Sequence, residues 1–183
     1  MVTRANKKVQ TRDALANAAT TLFTARGYDA VTVEDVAAGG GVSRRTLFRY
    51  FPTKDSLVFH RQDQDLAAFR ATLARGEGMP TVRAALLCMA DLYTKSPRYH
   101  LAQHRIVRRC PTLTAREVEL DRCWEEAIAA ALSDRSPRQA RFHAGALIGL
   151  TRAVLREWLE GDCDDDLLEL SETALTLIDR MEK

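Results

Sequence analysis

The stretch Thr32–Phe51, TVEDVAAGGGVSRRTLFRYF, constrains this chain more than any other. Apolar residues at helical spacing lie on both sides of three consecutive glycines. Glycine is a poor helix residue and permits the backbone angles of a tight turn. The stretch therefore reads as two short helices joined by a turn. Thr32 with Asp35 three residues on is a capping pattern for the first helix, and Ser43 is a good N-cap for the second. On a wheel of roughly 100° per residue, Arg44, Arg45, Phe48 and Arg49 share one face of the second helix, and Leu47, Tyr50 and Phe51 share the other. One face suits a core. The other suits a polyanion, because arginine forks match phosphate oxygens and guanine edges. Two short helices in this arrangement form a helix-turn-helix, whose second helix enters the DNA major groove.

Net charge over 183 residues is only +2, so charge alone does not single out a nucleic-acid binder. Its distribution says more. Residues 1–54 carry nine Lys/Arg against four acids, a net of +5, and the remainder carries 18 against 21, a net of −3. The basic end is the one expected to meet a polyanion. The four cysteines, Cys88, Cys110, Cys123 and Cys163, form no C-x-x-C pair. With no signal-peptide pattern and no apolar run long enough for a membrane span, a reducing cytoplasm and no membrane partner are expected.

Helical periodicity continues on both sides. Residues 1–10 read as a disordered basic arm with Arg4, Lys7 and Lys8, able to touch backbone phosphates. From an N-cap at Thr11, the residues Leu15, Ala18, Ala19, Leu22 and Phe23 follow i, i+3, i+4 spacing to a stop at Gly27. After Pro52, Thr53 is expected to start one long helix to about Arg75. Helices at about 80–95, 97–109, 112–132, 137–160 and 165–182 follow, with no strand pattern.

Residues 11–57 resemble the DNA-binding domain of the TetR family of bacterial transcriptional regulators. The resemblance rests on Ala18-Ala19, Leu22-Phe23, Gly27-Tyr28, Thr32-Val33, Val36-Ala37, Gly41-Val42-Ser43, Thr46-Leu47-Phe48, Tyr50-Phe51, Lys54 and Leu57, matched without gaps. Gly40 departs from a usual alanine, Arg45 from a common glycine, and Phe48 from a usual tyrosine, whose hydroxyl it lacks. The expected fold is all-α, about nine helices. A three-helix DNA-binding domain at 1–52 precedes a helical effector-binding and dimerisation domain at 53–183. DNA contacts are expected from Thr32, Ser43, Arg44, Arg45, Thr46, Phe48, Arg49, Tyr50 and Lys54, with Lys54 on phosphate by resemblance.

The resemblance implies a homodimer that binds a palindromic double-stranded operator and is released by a small-molecule effector, most often as a repressor. The apolar faces of the last two helices place the dimer contact at Leu147, Leu150, Val154, Leu155, Trp158, Leu170, Ala174 and Ile178, with small residues at 144–146 and 149 allowing close approach. Phe69, Leu73, Met89, Leu92, Tyr93, His100, His104 and Trp124 are candidate effector contacts, since ligand cavities are largely apolar with a few polar groups. The same residues also suit an ordinary core. They favour an apolar effector, and similarity to actinobacterial members with a like reading helix implies an acyl-CoA-like one. No cofactor and no catalytic activity are expected. Alternatives are a helical enzyme or metal-binding protein using His100 and His104, and a non-specific architectural DNA-binding protein. No glutamate lies between the two histidines as in a metalloprotease helix.

Overall fold

The computed structural model describes residues 4–181. Among the described residues nine α-helices run in order: α1 Arg4–Arg26, α2 Val33–Gly39, α3 Arg44–Tyr50, α4 Gln62–Leu73, α5 Gly78–Thr94, α6 Pro97–Arg108, α7 Pro111–Ala131, α8 Pro137–Glu160 and α9 Leu167–Met181. A 3-10 turn, Asp55–Leu57, lies between α3 and α4. The described residues contain no strand.

The chain divides into two compact units. The first runs through Arg61 and takes in residues 102–115. The second comprises 62–101 and 116 onward. In the first unit α1 packs on α2, and α2 on α3. Leu15, Ala19, Phe23, Val36, Leu47 and Phe51 are buried there. In the second unit α5 packs against both α4 and α9, and α9 against α8. Its main core joins Phe69 and Leu73 of α4, Val82, Ala85 and Met89 of α5, Ile128 of α7, Ala144, Leu147 and Ile148 of α8, and Leu175 of α9.

Two expectations are corrected. The N-terminal arm is not irregular from Arg4 onward, because α1 already begins there. Residues 4–10 contain neither glycine nor proline, so nothing stops the helix from extending. Thr11 is inside it, its hydroxyl donating to Lys7 O at 2.8 Å. Residues 1–3 of that arm lie outside the described residues.

The second correction concerns the long helix expected from Thr53. The chain is irregular or turned from Phe51 to Arg61, and α4 starts only at Gln62. Thr53 and Ser56 bond each other reciprocally across the start of the 3-10 turn, with Ser56 N donating to Thr53 Oγ1 and Thr53 N to Ser56 Oγ, both at 3.3 Å. Two carbonyls that a helix would use are taken by distant side chains. Gln103 Nε2 donates to Val58 O at 3.1 Å, and Arg12 Nη2 donates to His60 O. The His60 ring is itself within 3.2 Å of Leu57 O through Nδ1.

Burial pushes His60 down from 6.5 to about 4, with the nearby Arg12 and Arg61 adding to the shift and the Leu57 carbonyl opposing it. The native protein therefore holds a neutral imidazole where the unfolded chain would protonate. Its contribution to stability is complete above pH 6.5 and is lost as pH falls from there towards 4. The loss amounts to about 2 kcal/mol once the ring's partial exposure is allowed for. Urea titrations from pH 7 to 4 should show this slope in the native sequence and its absence in His60→Gln. Equal slopes would remove His60 as the cause. Asp35, whose carboxyl is held below the ordinary 3.8 by hydrogen bonds from Thr32, loses its contribution only below this window.

Candidate nucleic-acid interface

The α2–turn–α3 unit is held by its own caps. Thr32 N donates to Asp35 Oδ2 at 2.9 Å, and Thr32 Oγ1 accepts from Asp35 N at 3.1 Å, a complete capping box. The Thr32 hydroxyl also donates to Asp35 Oδ2 at 2.8 Å. Ser43 Oγ accepts from Thr46 N at 3.2 Å and lies 3.1 Å from Thr46 Oγ1, to which it donates. Thr32 and Ser43, expected as DNA contacts, therefore spend their hydroxyls on the helix ends. They fix the helices that carry other side chains.

The three glycines of the turn have different reasons to be there. Gly41 alone has a positive φ, at 67°. Gly40 has an ordinary φ of −86°, but a Cβ on it would lie 2.7 Å from Leu15 Cδ2 and 3.2 Å from Leu15 Cγ. Leu15 is fully buried and has little room to move. That contact accounts for glycine at this position. Gly40→Ala is expected to lower stability by about 1–3 kcal/mol through overpacking, read from the urea midpoint. An unchanged midpoint would show that Leu15 yields.

On α3, Leu47 and Phe51 are buried, Tyr50 and Thr46 are half-buried, and Arg44, Arg45, Phe48 and Arg49 are exposed. The three arginines differ. Arg44 Nη1 pairs with Glu34 Oε1 of α2 at 2.9 Å, and its guanidinium carbon lies 5.4 Å from the centre of the Phe48 ring. Arg49 lies 5.4 Å from the Tyr50 ring centre. Arg45 makes no ion pair, hydrogen bond or ring contact among the described residues.

Lys54, expected on phosphate, already gives one of its three donors to the protein. Its ammonium donates to Tyr28 O at 2.6 Å and sits 4.1 Å from the Tyr28 ring centre, tying the start of the 3-10 turn to the chain after α1. Two contributors escaped the sequence reading. Arg12 lies over the Phe51 ring at 5.4 Å, and Glu34 holds Arg44. Neither has a local signature, since each partner belongs to another element.

The N-terminal unit gathers charge beyond residue 61, because 102–115 bring Arg105, Arg108 and Arg109 and no acid. This unit holds thirteen Lys/Arg against five acids, a net of +8, and the second unit fourteen against twenty, a net of −6. The segregation that favours a polyanion at one end is sharper than the linear sequence implies.

In the body, the residues expected around an effector pack on one another. Phe69, Leu73 and Met89 belong to the main core, with Leu92, Tyr93 and Trp124 against it. The Phe69 and Trp124 rings are tilted with centres 5.0 Å apart. His100 is buried and stacks on Tyr93 at 3.9 Å. His104 is half-buried. An open groove of about 500 Å³ between the end of α4, the following turn and α7 shares only Leu73 with this set. Phe69, Leu73, Met89, Leu92, Tyr93 and Trp124 thus pack together in the apolar core of this unit. The metal alternative at His100 and His104 finds no group of three His, Cys, Asp or Glu able to hold an ion among the described residues.

Of the expected dimer residues, Leu147 and Trp158 are 1% and 2% exposed, and Ala174 is 8% exposed, so these three pack mainly within their own chain. Leu150, Val154, Leu155, Leu170 and Ile178 are half-buried. Phe142, Gly145, Ala146, Gly149 and Ala153 of α8 are exposed, and Leu177 stands out from α9. No described helix is long and apolar enough to cross a membrane.

Comparison with known proteins agrees with this arrangement. Residues 15–60 match the family described as bacterial regulatory proteins, tetR family, and residues 77–182 match the MftR C-terminal domain. The chain is 31% identical to the HTH-type transcriptional regulator TcmR of Streptomyces glaucescens, over 94% of this chain and 84% of that protein. It is 27% identical to a candidate mycofactocin biosynthesis transcriptional regulator, MftR of Mycobacterium tuberculosis, over 81% of this chain and 79% of that protein. Among solved structures, Thermus thermophilus FadR, a transcriptional repressor in complex with lauroyl-CoA, superposes with a TM-score of 0.65 at 23% identity, covering 91% of this chain and 92% of that one. With its N-terminal residues matching one family model and most of the remainder matching the other, the chain belongs to the TetR family of bacterial transcriptional regulators.

Proposed function

We propose that this regulator is a cytoplasmic homodimer that binds a palindromic operator through α3 and is released from it by a small, largely apolar effector. The observation that carries the reading is the exposed face of α3, with Arg44, Arg45 and Arg49 outward and Leu47 and Phe51 buried behind them. Base contacts come from these arginines, with Phe48 beside them, Thr46 and Tyr50 at the flanks, and Thr32, Ser43 and Lys54 holding the frame. The head is assigned to 1–52 and effector binding and dimerisation to the rest. The enzyme alternative has no support in the family.

Dimerisation is supported by two glycines. Gly145 and Gly149 lie mid-helix in α8, where glycine costs up to about 1 kcal/mol relative to alanine. A Cβ on either would meet nothing within 4 Å. Nothing in their own chain requires a missing side chain, whereas a second α8 approaching closely would. Two heads on a two-fold axis then read half-sites one helical turn apart.

For the effector, the lauroyl-CoA bound by the Thermus relative supports an acyl-CoA-like molecule entering the aromatic and aliphatic body near Phe69, Met89, Tyr93 and Trp124. By linkage, such an effector binds the DNA-competent state less tightly than the released state. The chain crosses between units at 61/62, 101/102 and 115/116, and the last two crossings lie within α6 and α7.

The test is selection of duplex fragments from the source genome by the full-length protein, followed by titration of medium- and long-chain acyl-CoAs against the enriched duplex. A palindrome that is bound without acyl-CoA and released by it is expected. Enrichment of no preferred sequence would defeat the operator reading. A bound palindrome indifferent to every acyl-CoA would defeat the effector class alone.

A further inference from the structure

We propose that Glu34 is a specificity-determining residue of the DNA-binding head, acting as a positioning residue that aims Arg44 at one base pair in each half-site. The inference deepens the operator reading above and rests on it. Arg44 is gripped from two sides. Glu34 Oε1 of α2 accepts from its Nη1 at 2.9 Å, and the Phe48 ring, one helical turn further along α3, lies 5.4 Å from its guanidinium carbon. Both charged side chains are more than half exposed, 64% for Arg44 and 53% for Glu34. An ion pair so exposed contributes little to folding stability.

Its place on the reading surface gives it another consequence. A carboxylate beside α3 repels the phosphates of every DNA sequence alike, so it weakens binding unless it gains something sequence-specific. Aiming an arginine is such a gain. A loose arginine reaches phosphate or any nearby acceptor, and phosphate contacts carry no sequence information. An arginine whose Nη1–H is taken by a carboxylate and whose plane rests near an aromatic ring has fewer directions open to it. Its remaining N–H groups keep the fork geometry that matches guanine O6 and N7. Pre-set direction also lowers the ordering cost at binding.

The comparison within α3 supports this division. Arg49 has a neutral aromatic neighbour, Tyr50, and Arg45 has no partner among the described residues. Arg44 alone of the three is paired with an acid. Arg44 with Glu34 is therefore the rigid reader, and Arg45 takes its direction from the DNA.

The experiment selects duplexes from a randomised library with full-length native protein, Glu34→Ala, Glu34→Gln, Arg44→Ala and the double alanine variant. Far-UV circular dichroism and thermal midpoints verify folding, which the exposure of both residues should preserve. Glu34→Ala and Arg44→Ala are expected to relax preference at the same base pair by about tenfold, with the double variant no worse than either single one. Glu34→Gln, which keeps an acceptor but not the charge, should retain part of the preference. Glu34→Ala should also bind unrelated duplex more tightly than the native protein.

Uniformly tighter binding by Glu34→Ala with unchanged preferences would overturn the proposal. So would loss of preference at a different base pair from Arg44→Ala, because Glu34 would then contact a base itself. If the native protein enriches no sequence, the operator reading falls and this inference with it, an outcome distinct from either of the others.

Discussion

Arg45→Ala and Arg49→Ala are each expected to abolish selective operator binding while leaving the far-UV circular dichroism spectrum unchanged. A good bidentate base contact carries about 1–3 kcal/mol of discrimination. A two-fold operator is read twice, so losing one such contact per head removes about 2–6 kcal/mol, or roughly 30-fold to 10⁴-fold in affinity. Neither side chain supports the fold. Both are exposed outside a core in which Leu47 is fully buried, and Arg45 makes no ion pair, hydrogen bond or ring contact among the described residues. The reading distinguishes base from phosphate contacts. If Arg49 met only phosphate, its alanine variant would weaken all duplexes evenly and lower the salt slope by about two, one contact in each head. If it reads a base, the loss is confined to the operator. Unchanged affinity in both variants would remove the α3 face as the reader.

The disposition of that face was legible in the sequence because it depends on local geometry. Within seven residues of α3, ideal helix spacing is enough to separate Leu47 and Phe51 from Arg44, Arg45 and Arg49. The caps at Thr32 and Ser43 were legible for the same reason, each bonding three residues ahead. What lay beyond reach depended on distant partners. The break before α4 arises where Gln103 and Arg12 take carbonyls 45 and 48 residues away in sequence. Leu57, Phe59, Leu66, Phe69 and Leu73 read as one apolar series, and nothing local marks where it bends. Glu34 looked like an ordinary first-turn acid of α2 until α3 placed Arg44 against it.

The apolar side of α8 has a related limit. Periodicity finds the apolar side of α8 but not which neighbour covers it. Leu147 and Trp158 carry the pattern and are used up by their own chain. Gly145 and Gly149, legible in the sequence as small residues that allow close approach, lie on the exposed side of the helix.

Gly149→Arg tests that face with little risk to the fold. A Cβ at Gly149 meets nothing within 4 Å, the residue is exposed, and its φ is not positive. Arginine is favoured over glycine in a helix interior by up to about 1 kcal/mol, so helicity should be kept. Across a close helix–helix contact, however, a long charged side chain replaces a hydrogen at the point of nearest approach, and the two-fold axis introduces it twice. The variant is expected to sediment as a monomer at micromolar concentration where the native protein is a dimer. Operator affinity should then fall by a hundredfold or more, since two linked heads gain roughly 10²–10⁴ over one. Affinity for an isolated half-site should not change, because the arginines of α3 are untouched. A variant that remains dimeric and binds the full operator normally would place the subunit contact elsewhere on the body. A native protein that sediments as a monomer would leave the two glycines without a partner and remove the basis for a palindromic operator.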